Sequence, residues 1–233
     1  MSDRALLSRT ATQPIWSGQS ETVSKRDFIL RECRGRRVLD IGCIDHSAAT
    51  AVALGERWLH HEITAQAESV VGIDYLAADA EALRLRGYNI VSANAEDLDL
   101  GEQFDVLVAG DLVEHLLNVG RFLASCRRHM RRDSRLILTT PNPFNIEQVG
   151  HVLRSGAPKV NAEHVAWIDP VTMRQLAERC GFKIVSFAWL DTDYAFDFSK
   201  RSIRGRIANT AVRIAHRRYP ALRRDFGVVL QLT

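Results

Sequence analysis

The motif Asp111-x-x-Glu114-His115 places two carboxylates and an imidazole within one short stretch of chain. If the motif forms a helical turn, residues three and four apart share a face, so the three side chains would converge. His164 closes a long connection after the next predicted strand, and we expect that connection to fold back over the same edge. Carboxylates and imidazoles together suit a divalent metal ion with mixed oxygen and nitrogen ligands. Asp111, Glu114, His115 and His164 are therefore candidate metal ligands, with Mg²⁺ or Mn²⁺ as the ion.

The same side chains support two other roles. A histidine with a pKa near neutrality can take a proton from a hydroxyl group, whereas a metal ion can instead acidify that hydroxyl. His115 and His164 are candidate catalytic residues on this ground, and His151, in the same long connection, is expected to meet a substrate. A purely structural role for Glu114 and His115 is the third interpretation, and the sequence leaves all three open.

Short apolar runs alternate with segments of helical periodicity along most of the chain. The apolar runs predict seven strands, at residues 37–42, 69–74, 88–91, 104–109, 135–140, 182–189 and 226–232. Helices are predicted at residues 21–33, 47–67, 76–86, 118–131 and 170–180. This alternation is typical of an α/β fold, a parallel sheet with helices on both faces. Ligands of such sheets bind beyond the carboxyl ends of the strands, and Asp111 follows one of those ends.

The predicted elements belong to a single domain at residues 21–233, preceded by residues 1–20 as a flexible N-terminus or lid. Residues 141–166 form a connection longer than usual, so we expect it to be a functional lid or partly helical. Residues 192–225 form a basic insertion before the last strand. His60 and His61 fall on a helical pattern and are expected to be surface or structural residues.

Four motifs at the predicted strand ends are characteristic when taken together. They are VLDIGC at residues 38–43, VGID at 71–74, ANAEDL at 93–98 and FDVLVAGDLVEHL at 104–116, accompanied by TPNP at 140–143 and by Glu163-His164. Over about residues 36–190, this set resembles the class I S-adenosylmethionine-dependent methyltransferases. The resemblance implies a Rossmann-like, seven-stranded, mostly parallel sheet and S-adenosylmethionine as the cofactor.

The resemblance also implies a set of cofactor-binding residues: Asp40, Gly42, Cys43, Asp74, Tyr75, Asn94, Ala95, Glu96 and Gly110. By this resemblance, Asp40 orients the first loop and the cofactor's amino group, and Gly42 lets the backbone approach the methionine moiety. Asp74 binds the ribose hydroxyls and Tyr75 flanks the adenine. Asn94, Ala95 and Glu96 lie at the adenine edge, and the Gly110 carbonyl accepts from the amino group.

The first motif departs from the family pattern after its glycine. Family members usually continue with more glycines, whereas this chain has Ile44, Asp45 and His46. Two alternatives follow: His46 contacts a substrate group, or the protein has lost cofactor binding. A dinucleotide oxidoreductase is disfavoured, because its G-x-G-x-x-G fingerprint is absent after the first predicted strand.

The acid-x-x-Glu-His arrangement resembles that of ubiquinone-pathway O-methyltransferases and small-RNA 2′-O-methyltransferases, with His164 matching the added histidine of the RNA enzymes. The preferred function is O-methylation of a hydroxyl on a sugar, glycan or other small molecule, with a catechol or quinol as the runner-up acceptor. The alternatives are an RNA 2′-O-methyltransferase and a non-catalytic cofactor-binding partner protein.

Composition excludes several other classes of protein. Hydrophobic residues make up 46% and charged residues 25%, which is ordinary for a globular chain and excludes wholesale disorder. No apolar run approaches the roughly 18 residues of a membrane span, and the N-terminus lacks the apolar core of a secretory signal. A cytoplasmic location is expected. The four cysteines form no C-x-x-C pair and are expected to be buried free thiols.

Charge is distributed unevenly along the chain. The net charge of +3 divides into +5 for residues 191–233 and −2 for the remainder. The basic stretch at residues 199–224 has three interpretations: a solvated amphipathic helix packed on the body or on a second subunit, a contact with a membrane surface or anionic lipid-linked substrate, and a nucleic-acid contact. The nucleic-acid contact is the least favoured, because few aromatic residues interleave with the arginines.

Overall fold

The computed structural model describes residues 21–191 and 203–233, and its strands form one eight-stranded sheet. The strands are β1 (Glu21–Ser24), β2 (Arg37–Ile41), β3 (Ser69–Asp74), β4 (Ile90–Ser92), β5 (Phe104–Gly110), β6 (Met130–Pro141), β7 (Phe182–Asp191) and β8 (Asp225–Leu232). Their order across the sheet is β1-β7-β8-β6-β5-β2-β3-β4. Neighbouring strands are parallel except that β8 runs antiparallel to both β6 and β7. The predicted α/β class is therefore confirmed.

Helices connect most of the strands. They are α1 (Lys25–Cys33), α2 (Ala48–Leu54), α3 (Leu59–Gln66), α4 (Ala77–Arg84), α5 (Val119–Arg128), α6 (Ile146–Ser155), α7 (Pro170–Arg179) and α8 (Ile203–Arg218). Short 3₁₀ turns lie at Gly55–Arg57, Ala95–Asp97, Val113–His115 and Pro220–Leu222. The predicted start of α7 is confirmed, because Asp169 caps its first turn and Pro170 occupies the first helical position.

Side chains alternate between the two faces of the central strands, which gives the sheet a core on each side. Leu39 and Leu107 belong to a buried cluster that includes residues of α5 and α7. Val38 and Val106 belong to the cluster on the opposite face, which includes residues of α1 and α3. Because both faces are covered, the central strands are mostly apolar, and buried polar side chains such as Asp40 lie towards their carboxyl ends.

The predicted strand count of seven is wrong, because the sheet has an eighth strand where the sequence predicts the start of a helix. Glu21–Ser24 pairs in parallel with the end of β7, at the edge of the sheet. The helix begins only at Lys25, since the Ser24 hydroxyl accepts a hydrogen bond from the Asp27 amide and caps the first turn.

The single helix predicted at residues 47–67 is also wrong. The chain forms α2, then a 3₁₀ turn, then α3. Gly55 has a φ of 55°, which ends α2, and Trp58 is extended, with a ψ of 123°. This break turns α3 toward the sheet, where Ile63 is fully buried.

The long connection and the basic insertion each contain a helix. Asn145 caps the start of α6, and Gly156 ends it in the left-handed conformation. Within α8, Arg213, Ile214 and Arg217 are exposed. Residues 1–20, predicted as a flexible N-terminus or lid, lie outside the described residues, and so does the first part of the basic insertion, residues 192–202. Within the described part of the chain, no helix combines the length and the apolar character that crossing a bilayer requires.

Candidate functional site

The loop after β2, here called the β2 loop (residues 42–47), begins with a backbone turn that only glycine adopts readily. The amides of Gly42 and Cys43 both donate to the Ile73 carbonyl, at 2.8 and 3.2 Å. Gly42 has a φ of 74°, and a Cβ at this position would lie 2.9 Å from Leu112 Cδ1. A side chain at Gly42 would therefore be strained, and it would press against the flexible end of the Leu112 side chain, which follows β5.

The non-glycine residues of the β2 loop are accommodated by burial. Cys43 and Ile44 pack into a cluster with Trp58 and with residues of α2 and α4, so their side chains point away from the sheet edge. His46 adopts a φ of 58° and is exposed. The loop thus turns its apolar side chains inward where the family pattern has glycines.

Asp74, at the end of β3, lies against the β2 loop. Its Oδ2 accepts from the Ile44 amide at 3.0 Å and its Oδ1 from the Leu76 amide at 3.2 Å. Burial raises the pKa of this carboxyl, while these backbone donors oppose the shift. Each oxygen retains a lone pair, so both can still accept from a ligand hydroxyl. Tyr75 follows at 79% exposure.

The other predicted cofactor residues lie at neighbouring strand ends. Asn94 caps the turn after β4 by accepting from the Glu96 amide at 2.9 Å, with Ala95 between them. Glu96 Oε1 in turn accepts from the Asn118 amide at the start of α5. Gly110 ends β5, and a Cβ there would make ordinary contacts with Ile29 and Leu59 at 3.7 Å.

A cavity of about 720 Å³ opens beside these strand ends. Its wall combines the start of α1, the turn after β5, the first part of the long connection, residues around His164, and the start of β8. Leu112, which contacts Gly42 of the β2 loop, stands between Asp111 and Glu114, and both of these line the cavity. The predicted cofactor loop and the cavity therefore meet at one turn.

Glu114 is a buried carboxyl group in the cavity wall, with 3% of its surface exposed. Its Oε2 accepts from the Thr140 hydroxyl at 3.0 Å, and its Oε1 has no hydrogen-bond partner among the described residues. Burial, helped by the nearby Asp111 charge, raises the pKa of Glu114 to about 8. A buried polar atom without a partner is costly, which makes this oxygen a natural contact for a ligand.

The two predicted imidazoles meet beside Glu114. The amides of Val165 and Ala166 both donate to the Glu114 backbone carbonyl, at 2.9 and 3.0 Å, and so hold the His164 segment against the turn after β5. One side-chain ligand atom from each of Glu114, His115 and His164 lies within 4.8 Å of the others. Burial and the neighbouring His115 lower the pKa of His164, which favours its neutral, proton-accepting form.

Asp111 does not join this group, and the predicted helical turn that would bring it there is wrong. Only Val113–His115 forms a 3₁₀ turn, and Asp111 precedes it with a φ of 49°. Its carboxylate instead forms an ion pair with Lys25 and accepts from the Thr139 hydroxyl at 2.9 Å. The geometry therefore assembles three of the four predicted metal ligands.

Lys25 and Asp225 are cavity residues that sequence reasoning missed. The Lys25 ammonium contacts Asp111 and also Asp225, the latter at 3.3 Å. Burial alone would lower the pKa of Lys25, but the two carboxylate charges outweigh burial and raise it. No local motif marks this contact, because it joins the start of α1 to the residue after β5 and to the first residue of β8.

His151 does not line the cavity. Its Nδ1 lies 2.8 Å from both the Ala157 carbonyl and the Ser155 hydroxyl, so the ring ties the end of α6 to the following turn. These two contacts give the His151 ring a structural role, so no ligand is needed to explain its position.

Comparisons with known proteins agree with this architecture. The family model described as "Methyltransferase domain" matches residues 19–187. A probable S-adenosylmethionine-dependent methyltransferase of Mycolicibacterium smegmatis is 26% identical over 75% of this chain and 62% of its own length. A ubiquinone biosynthesis O-methyltransferase of Nitrobacter winogradskyi is 29% identical over 64% of this chain and 58% of its own length. The chain thus spans about six tenths of the length of these two relatives.

Solved structures share this fold. A methyltransferase of Archaeoglobus fulgidus, described as S-adenosylmethionine-dependent, superposes with a TM-score of 0.54, covering 87% of each chain at 19% identity. At that identity the likeness shows the fold alone. Because the family model covers well over half of the sequence, the chain belongs to the methyltransferase domain family, with the class I S-adenosylmethionine-dependent methyltransferase fold.

Proposed function

We propose that this protein transfers a methyl group from S-adenosylmethionine to a hydroxyl group of a small ring-bearing acceptor, with a sugar as the preferred class. The observation that carries the proposal is the convergence of Glu114, His115 and His164 on one side of the turn whose Leu112 contacts the β2 loop. This convergence supports the proposal, because the two imidazoles can accept a proton and lie beside the turn that contacts the predicted cofactor loop.

The residues at the strand ends fit the cofactor. Gly42 leaves bare backbone at the mouth of the β2 loop, Asp74 offers carboxylate lone pairs, and Tyr75 offers an exposed ring. When bound, S-adenosylmethionine supplies a methyl group on a positively charged sulfur. Asp40 and Asp74, buried at 4% and 5% exposure, place negative charge beneath the loop that would receive this cation.

On the acceptor side, His164 is assigned as the base that removes the proton of the hydroxyl group. Its lowered pKa keeps the ring neutral near pH 7, so a ring nitrogen can accept the hydroxyl proton as the oxygen becomes the nucleophile. His115 contacts His164 edge to face and so restricts its orientation. Glu114, with one unpartnered oxygen, is placed to accept a hydrogen bond from the acceptor.

Trp167 supports a ring-bearing acceptor. It lines the cavity with 45% of its surface exposed, and it is held near the turn after β5 by the backbone bonds of Val165 and Ala166 to Glu114. A large, rigid aromatic face in a polar cavity provides apolar contact to one face of a ring while neighbouring polar groups face its edge. The O-methyltransferase named for ubiquinone biosynthesis among the relatives supports oxygen as the accepting atom.

A divalent ion is a second means of activating the hydroxyl. Glu114, His115 and His164 would hold it, and the orphaned Glu114 Oε1 fits a metal ligand. Such an ion would lower the pKa of a bound hydroxyl and orient it.

The proposal is tested by incubating the protein with S-adenosylmethionine and, one at a time, monosaccharides, sugar nucleotides, catechols and short RNAs as acceptors. The S-adenosylhomocysteine that forms with each acceptor is measured. Turnover with a sugar, with Trp167→Ala raising its KM about tenfold or more and Trp167→Phe restoring much of the loss, is expected. Turnover confined to RNA, falling steeply as salt rises, would contradict the small-molecule acceptor.

A further inference from the structure

The start of α3 directs two polar side chains at the base of the β2 loop. The Trp58 indole N–H donates to the Cys43 carbonyl at 2.9 Å. His60 Nδ1 lies 2.8 Å from Asp40 Oδ2. Both rings are buried, at 3% and 1% exposure. We call this pair, Trp58 and His60, the α3 brace.

The neighbouring strand makes room for the α3 brace. A Cβ at Gly72 of β3 would lie 2.7 Å from Cys43 Sγ and also 2.7 Å from His60 Cε1. Tyr88 closes the other side, with its ring centroid 4.8 Å from that of Trp58 and 5.9 Å from that of His60. Packing on both sides confines the His60 ring, so its contact with Asp40 is held in one geometry.

The contact leaves half of the Asp40 carboxylate available. Asp40 is 4% exposed, and its Oδ1 accepts from none of the described residues. A buried carboxylate is costly unless hydrogen bonds or an opposite charge satisfy it. The amino-acid tail of S-adenosylmethionine carries an ammonium group, which would supply both.

We propose that His60 is a positioning residue for the cofactor: it holds Asp40 so that the free carboxylate oxygen meets the ammonium group of the amino-acid tail, while Trp58 holds the β2 loop above it. The inference rests on the proposed cofactor site. It adds a residue outside the strand-end motifs, on an element that follows the loop in sequence and supports it from below.

The α3 brace explains how a β2 loop with few glycines keeps one shape. Ile44 and Cys43 are anchored in the same cluster as Trp58, so the loop is fixed by side-chain packing and by the hydrogen bond from Trp58 to Cys43, while His60 holds Asp40 near the end of β2. A carboxylate held in advance loses less freedom when a ligand binds, which improves affinity.

The test compares two ligands that share adenosine and sulfur. S-Adenosylhomocysteine carries the amino-acid tail, whereas 5′-methylthioadenosine lacks it. Calorimetry on the full chain is expected to show His60→Phe binding S-adenosylhomocysteine at least about tenfold more weakly, with 5′-methylthioadenosine changed less than about twofold. His60→Asn, whose amide nitrogen can replace Nδ1 as a donor, is expected to restore most of the loss.

His61→Phe is the matched control, since His61 contacts the Tyr88 hydroxyl and not the loop. It should bind both ligands as the unaltered protein does. Should His60→Phe fail to fold, His60→Gln keeps a polar side chain with its amide in the wrong place and should show the same selective loss. Equal weakening of both ligands, or no weakening of either, would overturn the positioning role. Failure of the unaltered protein to bind S-adenosylhomocysteine would instead refute the proposed function.

Discussion

The His115 and His164 rings stand almost perpendicular, at 84°, with their centroids 4.8 Å apart. His115 ends the turn after β5, and His164 belongs to the connection between α6 and α7. The two segments are joined by the Val165 and Ala166 amides on the Glu114 carbonyl. The chemistry of the site therefore depends on docking of this connection as much as on the strand end.

Replacing His115 or His164 should slow methyl transfer without weakening cofactor binding. His164→Ala and His115→Ala are each expected to lower kcat by about 10²-fold, the usual loss when a general base or its orienting partner is removed. S-Adenosylmethionine affinity, measured by calorimetry, should stay unchanged. His151→Ala is the control, because His151 lies off the cavity, and it should retain near-normal turnover. A loss of activity explained wholly by lost cofactor binding would contradict the assignment.

Gly42→Ala should weaken cofactor binding, because the Leu112 side chain must shift and the new methyl group covers backbone that the cofactor is proposed to approach. The new Cβ would lie 2.9 Å from Leu112 Cδ1 in a backbone with a φ of 74°. Gly101→Ala is a matched control, since Gly101 has a φ of 66° and a Cβ there would meet nothing within 4 Å. Both variants should lose about 1 kcal/mol of unfolding free energy from backbone strain. Only Gly42→Ala should lower the affinity for the cofactor. Equal affinities in the two variants would show that the β2 loop is not part of the cofactor site.

Removal of metal ions distinguishes the two ways of activating the acceptor. Activity is measured after exhaustive chelation and after adding back Mg²⁺, Mn²⁺ or Zn²⁺ singly. If His164 acts as a metal-free base, full activity should persist in chelator. Loss and rescue by one ion, with the rescue abolished in Glu114→Ala, would assign the ion to Glu114, His115 and His164.

Thiol reactivity reports whether the β2 loop is closed. Cys33, Cys43 and Cys126 are buried, and burial raises the pKa of each thiol, whereas Cys180 is partly exposed. At about pH 8 an aromatic disulfide reagent should therefore modify only Cys180 quickly in the native protein and all the thiols in denaturant. Rapid modification of Cys43, identified by mass spectrometry, would show that the loop opens and that the α3 brace does not hold it.

Much of the sheet could be predicted because buried parallel strands appear as continuous apolar runs. The strand Glu21–Ser24 could not, since its four residues include only one apolar side chain and it gains its hydrogen bonds from β7. The break between α2 and α3 is marked by Gly55, but the helical periodicity on either side hides it. The first miss depends on tertiary pairing, whereas the second concerns a local signal that the surrounding pattern obscures.

At the site, the motifs indicated Glu114, His115 and His164, because strand ends and the following connection meet at one edge. The position of Asp111 could not be predicted, since the ion pair with Lys25 depends on where α1 lies. His60 was expected to be a surface or structural residue. The proposed positioning role follows only from its contact with Asp40, which joins α3 to the carboxyl end of β2.

The most direct test of the account is the linkage of the transferred methyl group. The protein is incubated with S-adenosylmethionine carrying a ¹³C-labelled methyl group and with the acceptor that gives the fastest turnover, and the product is analysed by NMR and mass spectrometry. The account predicts a labelled methyl on oxygen, formed together with S-adenosylhomocysteine and lost in His164→Ala. A labelled methyl on nitrogen, carbon or sulfur, or the same oxygen product formed at an undiminished rate by His164→Ala, would contradict it.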